Sequence, residues 1–529
     1  MVAEDATQQG QTEASDKRRV KSRERRRRSR TTLRVKPTTL DASAMPGDDS
    51  TLASRVLVFT LCAAVALSTL AYGAVHSWAL AIFQAGAALV VLLWVADAMQ
   101  SGVLRVNRSL IQMPLIGLLC IAAAQLMPLR STGDDATRVA ISYDFHATLL
   151  VAIKTLALFV YFAAALAFID SFQRLRSVVR FITVFGFLIA ILGLVQAFVS
   201  PDRIYGIREP LQAAPFGPFV NRHHFAAFME LSLALPLGLL FTGAIESDRR
   251  LLYGFAALMM AIALVMTGSR GAMLSLMVQI VFVMIVSASA RVEKESSSRE
   301  SGRSRFRIDA GWMKRAIAAV ALGVGLLIGV QVFGGEDSIL RLVDSVNSSD
   351  PTNGRTHFWA TTLGMIRDHP LLGVGLGAYS LAYTRYDTQG GVMRLEQAHN
   401  DYLQVLADTG ILGGALGVLF LVVLFRRAWR AIRSKDRFRR GVALGAFAGC
   451  ISVLVHSIFE FALHTTANAL LFLVIVALAT LGSQVEKSPS PNRRRRRDGK
   501  SSSSSSGASD DAPGGVAAHT MSHEVIAPS

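Results

Sequence analysis

Cysteine is nearly absent, with three in 529 residues. Cys62, Cys120 and Cys450 all fall inside apolar runs, so neither a disulfide framework nor a Cys metal site can form in the polar loops. Acidic residues are few beside basic ones, 38 Asp and Glu against 55 Lys and Arg, for a formal charge of +17. Such an excess would suit nucleic acid, but the basic residues sit in two tails and in short loops between apolar runs. Charge placed that way orients a protein in a bilayer and argues against a nucleic-acid partner. No internal repeat is visible, so the inverted-repeat signature of many transporters is missing. No cleavable leader is evident, because some fifty polar residues precede the first apolar run.

What the chain has is hydrocarbon. Apolar residues make up 51% of it and the mean hydropathy is positive, which excludes a soluble multidomain core. Twelve runs are each long enough to cross a membrane as a helix. They lie at 55–75, 78–98, 109–128, 147–169, 181–200, 223–244, 251–268, 270–289, 315–334, 411–425, 441–460 and 465–483. The expected fold is therefore all-α, a polytopic membrane protein of about twelve transmembrane helices with a large outer loop capping the bundle. Residues 1–50 and 484–529 read as disordered basic tails, 51–334 as helices one to nine with a linker at 290–314, 335–410 as the outer loop and 411–483 as the last three helices.

Basic residues near span ends are held on the cytoplasmic side. Arg105 and Arg108, Arg174 to Arg180, Arg249 and Arg250, Arg291 to Arg315 and Arg426 to Arg440 all fall on one side for a count of twelve. Both termini are then cytoplasmic, and the loops at 129–146, 201–222, 335–410 and 461–464 face outward.

Chemistry is expected on that outer face, where ionisable residues collect against apolar spans. Arg270 sits in Thr267-Gly-Ser-Arg-Gly271 between two apolar runs, either as an anion ligand or as a snorkelling, turn-capping Arg. Asn221-Arg-His-His224 opens the sixth span, where free N–H groups and basic side chains suit a diphosphate. Asn221 serves equally well there as a plain N-cap, and His223 and His224 as interfacial residues. Glu396-Gln-Ala-His-Asn-Asp401 places His399 beside Asn400, and an imidazole suits general base work with Glu396 or Asp401 to orient it. His456, Glu460 and His464 are spaced by four, as on one helical face. Gly373-Val-Gly-Leu-Gly377 lacks the preceding strand and following Lys of a phosphate loop and reads as a tight turn. No metal-ligand spacing appears in the outer loops, so no metal and no cofactor are expected.

The spacing His399-Asn400, nine residues, Gly410 and Gly413 resembles the O-antigen ligase and polysaccharide polymerase family of bacterial inner-membrane glycosyltransferases. So do Gly354-Arg355, Trp359, His369-Pro-Leu-Leu-Gly-Val-Gly375 and Thr267 to Gly271, over roughly 180–480. The resemblance implies metal-independent transfer of a glycan from an undecaprenyl-diphosphate carrier to an acceptor glycan or lipid core at the periplasmic face, alone or with other polysaccharide assembly proteins. It implies His399 as base or positioning residue, Arg270 on the donor diphosphate, and Arg222 as a second cation. Arg355 is a further candidate for the phosphates, with Asn221, Asn400 and His224 beside the substrate and Glu396 beside His399. The pattern departs at Gln397, where some relatives have a second His. A flippase or transporter of the same lipid, and a non-catalytic scaffold, are the rival readings. Polymerase and ligase share these features.

Overall fold

The computed structural model describes residues 51–131, 138–211, 213–296, 355–388 and 395–481. The expected span at 315–334, the tails at 1–50 and 484–529, most of the linker and the first part of the outer loop lie outside them.

Backbone polar groups find no water in hydrocarbon, so a crossing chain satisfies them internally by forming helices. Eleven of the twelve expected runs fall on such helices. They are α1 (Leu52–Leu70), α2 (Ser77–Ser101), α3 (Met113–Leu126), α4 (Phe145–Phe168), α5 (Phe172–Val199), α6 (Arg222–Phe241), α7 (Ser247–Met266), α8 (Arg270–Ser296), α11 (Asp401–Ile432), α12 (Arg437–His456) and α13 (Thr466–Thr480). Nine of these are long and apolar enough to cross a membrane; α3, with the short turn before it, and α13 are shorter. Two more helices, α9 (Arg355–Asp368) and α10 (Tyr379–Tyr383), belong to the outer loop. Strand structure among the described residues is limited to a two-residue antiparallel pairing, β1 (Arg130–Ser131) with β2 (Arg138–Val139).

Burial sorts the helices. In α6, 94% of the most apolar stretch is buried, against 22% in α2, so α6 is the central helix and α2 a peripheral one. Peripheral faces carry Leu92, Met99, Leu251, Met277 and Val418, large apolar side chains left exposed where lipid covers them. The tightest seam joins α6 to α12. A side chain on Gly238 would overlap the backbone of Gly441 and Gly445, and one on Gly445 the carbonyl of Ala234. Small residues at such seams let helix backbones approach closely where no water drives them together.

Two boundaries differ from expectation. The tenth expected span begins at Asp401 rather than 411, because Asn400 caps the helix and its first turns are polar where a hydropathy window sees loop. That helix bends at Gly410, whose φ of 63° and ψ of −162° are open to glycine. The bend lets Leu371 to Gly377 lie along it: Val374 N–H donates to Ala407 O (2.9 Å), Gly375 N–H to Asp408 O (3.2 Å) and Ile411 N–H to Pro370 O (2.8 Å). The second difference is in α8, which continues to Ser296, into the expected linker.

Candidate functional site

The site grows from three helix starts. At the first, Asn221 caps α6, its side-chain oxygen accepting from His223 N–H at 2.9 Å. Phe216, Phe219, Phe225 and Phe228 pack edge-on and tilted around that start and seat it in the bundle. At the second, Gly268 turns at φ 65° and Ser269 Oγ accepts from Ala272 N–H (3.4 Å), leaving Arg270 as the first residue of α8. Arg222 lies next to that turn, its Nη1 within 3.9 Å of where a side chain on Gly268 would begin. Arg270 makes no ion pair with another described residue.

The third start carries His399. Asn400 accepts from the N–H of Tyr402 and of Leu403, both at 3.0 Å. On the near side, Trp359 Nε1 donates to Ala398 O (3.1 Å) and Ala398 N–H donates to Gln404 Oε1 (2.7 Å). On the far side Asp401 N–H donates to Ser457 O (2.9 Å). Between these fixed peptides His399 adopts φ 51°, a left-handed angle that costs a residue with a side chain on the order of 1 kcal/mol. Phe461 meets its ring edge-on at 4.9 Å, and 30% of the side chain remains exposed.

The carboxylate that faces this ring is Glu460. Its Oε2 is 3.2 Å from His399 Nδ1, while Oε1 pairs with Arg355 and lies 3.8 Å from His223 Nε2. Burial pushes the Glu460 carboxyl up, but the His399 hydrogen bond and the His223 and Arg355 charges outweigh it and hold the group at about 2. Glu396 is exposed, and Asp401 instead accepts from Ser457 Oγ at 2.7 Å. The carboxylate that His399 Nδ1 meets is thus Glu460, where the sequence points to Glu396 or Asp401. The four-residue spacing of His456, Glu460 and His464 is also not a helical face. Helix α12 ends at His456, and the chain then turns so that the three side chains diverge. His456 meets Glu230 (2.9 Å) and His464 meets Gln397 (3.4 Å). Burial, followed by the Lys154 and His224 charges, pushes His464 down to about 3.

Residues 255–418 match the family model described as O-antigen ligase. Over that stretch the chain is similar to the O-antigen ligase family. No curated protein matches it. The matched O-antigen ligase segment holds the Gly268 turn, Arg270, Arg355, the outer-loop helices, His399 and the Gly410 bend. Arg222 and Glu460 lie outside it and complete the same patch from α6 and from the turn after α12.

Around the matched segment the other expected residues take supporting places. His224 is 8% exposed, with Nδ1 at 2.8 Å from Thr465 Oγ1, and ties α6 to the start of α13. The glycines at 373, 375 and 377 all have positive φ and form a turn against α11, with Gly377 N–H donating to Asp408 Oδ2 at 3.2 Å. Sequence reasoning missed Glu460 as the hub, and also Glu230, although a lone Glu inside an apolar span is the signal that could have found it. Among the described residues no group of three or more His, Cys, Asp or Glu is placed to hold a metal ion.

Proposed function

We propose that this protein transfers or polymerises glycan from an undecaprenyl-diphosphate carrier onto an acceptor hydroxyl at the periplasmic face of the bacterial inner membrane, without a metal. The observation that carries the reading is Glu460, a buried carboxylate that holds His399 by Nδ1 and pairs with Arg355, while His223, 3.8 Å from it, is tied to the Ser269 turn beside which Arg222 lies and from which Arg270 starts its helix. With Nδ1–H given to a carboxylate that stays anionic, Nε2 is the basic atom of His399, and Glu460 supports the imidazolium that forms.

In the proposed step His399 Nε2 takes the acceptor O–H proton. The acceptor oxygen bonds to the anomeric carbon, and the bond from that carbon to the diphosphate oxygen breaks, its electron pair leaving with the phosphate. Negative charge grows on the leaving group, and Arg270 and Arg222, with Arg355, meet it as fixed cations whose planar forks fit phosphate oxygens in pairs. Asn221 and Asn400 act by capping the helices that present Arg222 and His399. The opposite end of the bundle, with Arg105, Arg174 to Arg180 and Arg249, is the cytoplasmic one, and both termini lie there.

The test uses purified protein in detergent with lipid-diphosphate oligosaccharide and an acceptor glycan. Wild type forms a longer or transferred glycan, and His399→Ala loses on the order of a thousandfold in rate at unchanged yield of folded protein. A transporter of the same lipid forms no new bond in detergent, and that result would overturn the reading.

A further inference from the structure

Beneath the transfer site lies a file of polar groups that the chemistry above does not use. Glu230, two turns into α6, is 0% exposed, and a carboxylate there is costly unless it is paired. It accepts from Ser275 Oγ of α8 at 2.7 Å and from Ser452 Oγ of α12 at 3.2 Å. His456 Nδ1, at the end of α12 and also 0% exposed, lies 2.9 Å from Glu230 Oε1. The file continues outward: His456 Nε2 is 3.5 Å from Ser269 Oγ, which is 2.9 Å from His223 Nδ1. His223 Nε2 then faces Glu460 Oε1 at 3.8 Å, and Glu460 Oε2 faces His399.

Donor and acceptor accounting gives this file a direction. If His456 carried a lone pair on Nε2, the Ser269 hydroxyl would donate to it, His223 would need its proton on Nδ1, and a neutral His223 would turn its own lone pair toward the Glu460 carboxylate. If His456 carries N–H on both nitrogens, Nε2–H donates to Ser269 Oγ and the hydroxyl donates to His223 Nδ1. His223 then presents Nε2–H to Glu460. Only the Nε2–H direction suits a carboxylate at the end of the file, and because Nδ1 lies 2.9 Å from the Glu230 carboxylate it carries N–H as well, which makes His456 the cation of a pair. Glu230 supplies the opposite charge.

We propose that the Glu230–His456 pair is a positioning element of the transfer site, which fixes the Ser269 hydroxyl and the His223 tautomer and thereby holds Glu460 in place to orient His399. The assignment rests on the transferase reading above. The rival is a purely structural role, in which Glu230 ties α6, α8 and α12 together through its serine bonds and its charge is immaterial.

Full-length Glu230→Gln keeps an acceptor oxygen for one of the two serines and removes the charge. In the detergent assay its kcat is expected to fall about tenfold with the donor KM unchanged, and Glu230→Asp is expected to restore part of the loss. Ser269→Ala cuts the file without touching a buried charge and should lose a similar factor, and the double variant should be no slower than the worse single, since both break one path. Losses that multiply, or a Ser269→Ala kcat equal to wild type, overturn the positioning role. Should Glu230→Gln fail to fold, Ser269→Ala alone decides. Wild type and His399→Ala are run beside these. A wild type that makes no product sinks the transferase reading itself, whereas an active wild type with unimpaired Glu230→Gln sinks the positioning role alone.

Discussion

At the Arg105 end of the bundle, two guanidiniums meet two carboxylates. Arg105 Nε lies 3.2 Å from Asp97 and its Nη1 2.8 Å from Asp170, which also takes Arg174 at 3.0 Å, while Arg174 reaches Ser54 Oγ at 2.6 Å. Charges there are matched and the groups join α1, α2, α4 and α5. At the His399 end, Glu460 serves Arg355, His399 and His223, and Arg270 begins its helix next to Ser269, whose Oγ is 2.9 Å from His223 Nδ1. Similar side chains thus build a matched brace at one end and a cation-rich cluster at the other, the one proposed to meet the diphosphate. What separates the two is the ratio of cations to carboxylates, not the number of arginines.

Substitutions at the two ends should therefore fail differently. Arg270→Ala is expected to lower the rate of glycan transfer about a hundredfold, on the order of 3 kcal/mol in barrier, with little change in melting temperature. A melting temperature that collapses with the rate would make Arg270 a brace like Arg105. Glu460→Gln should cost on the order of tenfold in kcat, about 1.4 kcal/mol, because the ring of His399 loses its charged partner. Measuring kcat and donor KM separately checks this, since a change in KM alone would move Glu460 from orienting His399 to binding the donor. Arg105→Ala should leave kcat intact and lower stability by on the order of 1 kcal/mol, read as a lower melting temperature in detergent. Any loss of transfer beyond the loss of folded protein would break the contrast between the ends.

A further contrast is in acid stability. Glu460 is held at about 2 when folded against 4.5 when free, so its contribution is complete above pH 4.5 and fades as pH falls toward 2. The stability gap between wild type and Glu460→Gln should shrink over that window. His464 acts over a higher range: held at about 3 against 6.5 when free, it makes the unfolded chain bind a proton that the folded chain does not, so stability declines as pH drops below 6.5. A His464→Gln variant with an equal decline between pH 6.5 and 4.5 would contradict this.

The spans were legible because lipid leaves a helix few alternatives, and hydropathy reads that constraint directly. The start of α11 was not, since its first turns are polar and only the cap at Asn400 marks them. His399 and Arg270 were visible as candidates through their motifs and the resemblance those carry. Glu460 was not, because its partners Arg355, His399 and His223 lie 105, 61 and more than 200 residues away and only the turn after α12 brings them to one carboxylate. The spacing from His456 to His464 pointed to the right segment and to the wrong geometry, as the helix stops at the first of the three.

The φ of 51° at His399 has an evolutionary consequence. Glycine holds that angle freely and asparagine nearly so, which means that the residues easiest on the backbone at this position are ones without an imidazole. With His399 as the proposed base, a selection for thermal endurance alone would drift toward such replacements and deliver a hardier, silent protein, and the twisted peptide would persist only while something rewards turnover.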